Sequence, residues 1–221
     1  MSTPEEIVRF WFGGSLANDA VLDAHVDRWF RGDREFDLSI ARRFAGDIEQ
    51  AGRGELDDWT RSPRGRLALI ILLDQFSRNA FRGSNVAYAF DAQARELSRE
   101  GLAIGADRDL APIERNFFYL PLLHSERLAD QDLSVECFKR LLAQAPSLQM
   151  RYFTAWLKLA RRQRIVIRCF GRFPHRNAVL GRKSTSAERA FLAMNSLRAN
   201  AARALRRVRR RPGISRAGGR N

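Results

Sequence analysis

Hydrophobic residues recur along this chain at intervals of three and four. Ile7, Phe10 and Trp11 share one side of a first stretch. Val21, Leu22, Val26, Trp29 and Phe30 are the apolar positions of a second, from about Asp19 to Phe30. In a third, Phe36, Ile40, Phe44 and Ile48 return every four residues. Such spacing lines one face of an α-helix. The boundaries agree with it. Thr3-Pro4-Glu5-Glu6 offers a hydroxyl cap, a proline at the first helical position and a glutamate for a capping box, and Gly13-Gly14 stops that helix. Asp33 is placed to cap the third helix, which Gly52 and Gly54 close.

Ser62-Pro63 starts a fourth element in which Leu67 to Leu73 are apolar all round. A surface helix shows a polar face, so this one is expected in the middle of the domain. A buried β-strand gives the same short run, but Leu and Ala outnumber β-branched residues and the flanks are helical. Ser84 is placed to cap a long helix to about Ile104, with Gly101 and Gly105 marking its end. The run Phe117 to Leu123 is broken by Pro121, which is expected to end or kink its helix and to deliver His124 and Glu126 beyond it. Asp130 to Gln144 and Leu148 to Phe170 read as two more helices, the second with a local β flavour at Ile165-Val166-Ile167. Thr185-Ser186-Ala187-Glu188 is a capping box for the last helix. No Asn-Gly or Asp-Gly hairpin turn occurs, and no strict alternation outlasts four residues. The chain reads as all-α, about eight to ten helices joined by short turns, which fits a helical-repeat arrangement although no fixed repeat length recurs. Trp11, Trp29, Trp59 and Trp156 fall on apolar faces and are expected in the core.

Charge changes the picture in one place. The net charge of +14 over 221 residues suggests nucleic acid, but residues 196–221 hold nine arginines and no acid, leaving +5 for the rest. Two regions are expected: a helical domain over 1–195, and a basic extension over 196–221 that is disordered beyond about Pro212. Its arginines, within 198–220, suit non-specific, salt-dependent contact with nucleic acid or anionic lipid. Cys137 and Cys169 form no disulfide framework or metal spacing, and no signal peptide or membrane-spanning run is seen, so a cytoplasmic protein is expected.

Three polar turns carry the candidate chemistry: Leu73-Asp74-Gln75-Phe76-Ser77-Arg78-Asn79, Tyr119-Leu120-Pro121-Leu122-Leu123-His124-Ser125-Glu126 and Phe170-Gly171-Arg172-Phe173-Pro174-His175-Arg176-Asn177. Each ends an apolar run, and the expectation is that they meet around one polar hollow. Arginine forks match carboxylate or phosphate oxygens, so Arg78, Asn79, Arg172, His175, Arg176 and Asn177 are candidates to contact an anion, with Asp74, Gln75, His124 and Glu126 orienting them. A structural reading stands beside this: Asp74 and Arg78 form an i,i+4 pair, and Asn residues cap helix ends. His124 or His175 against Glu126 could serve as a general acid–base pair. His and carboxylate also suit a metal, but no His-x-x-x-His or Glu-x-x-His spacing occurs, and no metal or cofactor is expected. His25 is expected to be solvated. There is no Gly-x-Ser-x-Gly elbow, phosphate-binding loop or dinucleotide fingerprint.

With Phe10-Trp11-Phe12-Gly13 and Gly54-Glu55-Leu56-Asp57-Asp58-Trp59 added, the three turns resemble, in order and spacing, the bacterial DUF924 family over about residues 4–193. The resemblance implies an all-α, tetratricopeptide-like (TPR-like) architecture and no established activity. Three departures accompany it. Ser77 stands where the family has Pro, and Gln163 and Ile165 stand where it has a His and an acid. The Arg/Ala/Gly-rich continuation after Leu192 is foreign to the family and has the composition of an out-of-frame reading of GC-rich DNA. Three functions remain open: a basic polar pocket for a small anionic ligand or peptide carboxylate, a hydrolase-type enzyme, or an interaction scaffold without chemistry.

Overall fold

Thr3 starts the first helix, α1 (Pro4–Phe12), as its sequence predicts. Its hydroxyl accepts the Glu6 N–H, and the Glu6 carboxylate accepts the Thr3 N–H at 2.7 Å. After α2 (Asp19–Arg31), Asp33 caps α3 (Arg34–Gly52) through the N–H groups of Glu35 and Phe36. Ser62 caps α4 (Pro63–Ile70) by accepting the Gly65 N–H. The computed structural model describes residues 1–13, 19–31 and 33–209, and no strand occurs among them.

A wide π-helical turn, Ile71–Phe76, continues α4 and leads into the short α5 (Ser77–Ala80). Then follow α6 (Asp91–Ala103), α7 (Pro112–His124), α8 (Leu128–Ala143) and α9 (Met150–Phe170). The chain falls into two units, Met1–Phe173 and Pro174–Asn221. In the first, α4 packs against α1, α6 and α7, and each of α6 to α9 packs on its neighbour in the chain. Every residue from Gly65 to Ser77 is buried, as the all-round apolar run requires. The core gathers aromatic rings: Trp11 lies against Trp29, Phe36, Phe76 and Phe117. Trp29 and Trp156 are buried too, while Trp59 is half-buried at the core's edge. The second unit holds a 3-10 turn, Pro174–Arg176, and α10 (Ser186–Arg209), opened by the expected Thr185–Glu188 capping box.

Close approach fixes Gly65. A Cβ there would stand 2.1 Å from the carbonyl oxygen of Trp59, a backbone atom that cannot swing aside. Gly65→Ala is expected to cost about 1–3 kcal/mol through overpacking. A chemical denaturation midpoint equal to that of the parent chain contradicts the close approach.

The structure corrects three expectations. Ser84 caps only a 3-10 turn, Asn85–Tyr88, and the long helix starts at Asp91. Of the two outcomes expected at Pro121, an end to the helix is contradicted, because α7 continues to His124. Proline removes one N–H, and the Gln131 amide secures the end of the helix by donating to the carbonyls of Leu123 at 2.8 Å and Ser125 at 2.7 Å. His25 is half-buried beside Trp29, with ring centroids 5.6 Å apart, rather than solvated. The expectation of disorder beyond Pro212 lies outside the described residues. No helix among the described residues is long and apolar enough to cross a membrane.

Candidate functional site

The π-helical turn positions the first acid. Its closing bond runs from the Ser77 N–H back five residues to the Leu72 carbonyl, one residue more than an α-helix allows. The extra residue re-aims the side chains around it, and such turns are frequent at functional sites. Asp74 sits in this turn with a side chain 1% exposed. Its carboxylate is nonetheless fully engaged. His124 Nδ1 lies 2.8 Å from one oxygen and 3.0 Å from the other. Arg78 donates from Nε and Nη2 to Oδ1 at 3.3 and 3.1 Å, and the Gln75 amide donates to Oδ2. Burial pushes the Asp74 carboxyl towards the neutral form. The charges of His124 and Arg78, with hydrogen bonds from His124 and Gln75, more than reverse this and hold it ionised, well below the ordinary carboxylate range. For Arg78, burial works against the charge, while Asp74 and Asp91 outweigh it and raise the guanidinium above its usual value.

The cluster continues along α6. Arg78 Nη2 donates to Asp91 at 2.8 Å, and the guanidinium lies 5.0 Å over the Tyr88 ring. One turn after Asp91 comes Arg95. Its Nε is 3.7 Å from Asp130 Oδ2 and its Nη2 is 3.8 Å from Glu96, too long for hydrogen bonds. Arg95 Nε is buried without a hydrogen-bond partner among the described residues. Asp130 is held instead by Arg99 Nη1 at 2.7 Å and by the Ser125 hydroxyl at 2.7 Å. Ser125 follows His124 directly, so Arg95 stands two contacts away from the imidazole.

Four of the sequence-predicted residues therefore come together: Asp74, Gln75, Arg78 and His124. Asn79 turns elsewhere, donating at 2.7 Å to Asp37, which Arg82 also clamps, and so fastens α5 to α3. The acid at His124 is Asp74. Glu126, the partner expected from sequence, accepts the Phe173 N–H at 2.8 Å. Arg172, next to the last residue of the first unit, is half-buried. In the second unit His175 is exposed, while Arg176 and Asn177 are buried, and the Asn177 amide donates to Ser184 and Glu188. That last contact secures the α10 capping box, as the structural reading of Asn allows. Among the described residues no group of three or more His, Cys, Asp or Glu is placed to hold a metal ion.

Two cavities in the first unit lie elsewhere. One of about 440 Å³ is walled by one side of α1 and by the starts of α4 and α7, and a groove of about 820 Å³ runs between α8 and α9. Neither is lined by the Asp74–His124 cluster.

A family described as bacterial protein of unknown function, DUF924, matches residues 7–196. The chain belongs to the DUF924 family. Among solved structures, this DUF924 chain is similar to the protein of unknown function ATU0120 from Agrobacterium tumefaciens. The two are 36% identical with a TM-score of 0.72, over 86% of this chain and 96% of that one. No curated protein matches it. The all-α fold expected from the DUF924 motifs is the fold observed. Sequence reading passed over four members of the cluster: Tyr88, Asp91, Arg95 and Asp130. A signal existed for two of them. Asp91, Arg95 and Arg99 recur every four residues on α6 and so share one helix face.

Proposed function

We propose that His124, oriented by Asp74, is the general acid–base of a hydrolytic site for a small anionic substrate. One observation carries the reading: a half-buried imidazole whose Nδ1 lies within 3.0 Å of both oxygens of a buried, ionised carboxylate. A carboxylate only accepts, so Nδ1 donates, and in the neutral ring the proton-accepting lone pair lies on Nε2. The Ser125 hydroxyl is spent on Asp130, which leaves water as the attacking group. Nε2 takes a proton from that water as its oxygen bonds to the acyl or phosphoryl centre, then returns it to the departing oxygen or nitrogen. Arg78 has Nε and Nη2 committed to Asp74 and Asp91 and serves to position them. Arg95, with an unspent Nε, is the guanidinium suited to the substrate's anionic group.

His124→Asn keeps an N–H donor opposite Asp74 and removes the proton-exchanging nitrogen. Against a panel of carboxylate-bearing esters, amides and phosphate esters, it is expected to lose roughly a hundredfold to ten-thousandfold in rate. Absence of turnover by the parent chain, or equal rates for the two, rejects the catalytic reading. The unspent Arg95 also favours a second reading, capture of a small anion or peptide carboxylate without chemistry. There, Arg95→Ala abolishes ligand-induced thermal stabilisation and no variant turns anything over.

A further inference from the structure

The 440 Å³ cavity is the strongest unassigned feature of the first unit. Its volume falls in the range of small-molecule sites. Val8, Phe12, Ile113 and the rings of Pro112 and Pro146 supply apolar wall, while Glu5, Arg9, Arg64 and Glu114 supply charge. Which charge is available to a ligand follows from how these four are engaged.

Arg64 ties up both acids. Its Nε and Nη2 donate to the two oxygens of Glu5 at 3.0 and 3.2 Å, and its Nη1 donates to Glu114 at 2.6 Å. The second oxygen of Glu114 accepts the Ala111 N–H at 2.9 Å. All four carboxylate oxygens are therefore occupied, and so are the three nitrogens of Arg64. Arg9 is different. Its guanidinium is exposed and forms no ion pair or hydrogen bond among the described residues. One uncommitted cation beside an apolar wall defines the complement: one negative charge attached to a compact apolar body.

We propose that this cavity binds a small monocarboxylate carrying a single ring or a branched aliphatic group, its carboxylate on Arg9 and its body against Val8, Phe12 and Ile113. The planar guanidinium fork matches a carboxylate in two parallel hydrogen bonds. The burial of Val8, Phe12 and Ile113 gives the site a fixed floor. The inference does not depend on the acid–base reading of His124, whose residues line none of this cavity.

Phenylacetate is the probe, titrated into the full chain and followed by amide chemical shifts and by Tm. Saturable binding is expected for phenylacetate, with acetate (no body) and benzylamine (opposite charge) weaker by on the order of tenfold or more. Arg9 is exposed, so Arg9→Ala should fold normally, and it is expected to weaken phenylacetate by a similar factor. His124→Asn is expected to bind it as the parent chain does. The proposal is overturned if phenylacetate does not saturate, if Arg9→Ala binds it equally, or if benzylamine or acetate binds as well. Loss of binding in His124→Asn also overturns it, by moving the ligand to the other site.

Discussion

Asp74→Asn is expected to destabilise the protein by about 3–5 kcal/mol, the cost of removing one partner from a buried charge cluster. The substitution is nearly isosteric, so the loss is electrostatic. Arg78, deeply set beside Asp74 and Asp91, keeps a single carboxylate, and His124 Nδ1 faces a neutral amide with one acceptor oxygen in place of a carboxylate with two. Urea denaturation of the two chains measures the difference, and a change below about 1 kcal/mol, the scale of an exposed ion pair, removes the cluster from any structural account. The pH dependence carries the same signature. The folded-state pKa of Asp74 lies below its unfolded value, chiefly because His124 and Arg78 overcome the effect of burial. Its stabilisation is therefore fully present above the ordinary aspartate range of about 4 and is lost as pH falls through the folded value. The parent chain should lose stability steeply below about pH 4, and Asp74→Asn should show a shallower fall over the same range. Parallel profiles contradict the assignment.

Phe117→Ala is expected to cost about 3–5 kcal/mol through the cavity it leaves. Phe117 is fully buried, with its ring centroid 5.4 Å from Trp11, 5.3 Å from Phe12 and 4.6 Å from Trp29. These edge contacts tie α7 to α1 and α2, so the substitution should also change the tryptophan near-ultraviolet circular dichroism while leaving the far-ultraviolet helix signal intact. A loss under about 1 kcal/mol, or an unchanged aromatic signal, contradicts this packing.

Much of this fold is written locally. The caps Thr3, Asp33, Ser62 and Thr185 act on N–H groups two or three residues away, so sequence alone contains both partners. The burial of Leu67–Leu73 follows from the lack of any polar face. Ser84 shows where local reading stops, since the same hydroxyl caps a 3-10 turn as readily as an α-helix. Pro121 shows another limit: the Gln131 amide that holds the end of its helix arrives from α8.

The candidate site divides along the same line. Asp74 and Arg78 were legible as an i,i+4 pair. No residue type marks the π-helical turn that carries Asp74, because a hydrogen bond displaced by one residue needs no special side chain. The choice of Asp74 rather than Glu126 as the partner of His124 is tertiary, made by α7 lying across the turn 50 residues away in sequence. Arg95 and Asp91 were passed over because charges on a helix ordinarily face water.

The central claim, that a buried carboxylate fixes the His124 ring for proton exchange at Nε2, is tested most directly by the tautomer of that ring. Nitrogen-15 NMR of the imidazoles, assigned by substituting His25, His124 and His175 in turn, reports which nitrogen holds the proton in the neutral form. The account predicts that His124 keeps its proton on Nδ1 and that Asp74→Asn alters this signal while sparing the other two. A neutral His124 protonated on Nε2, or one indifferent to residue 74, contradicts it.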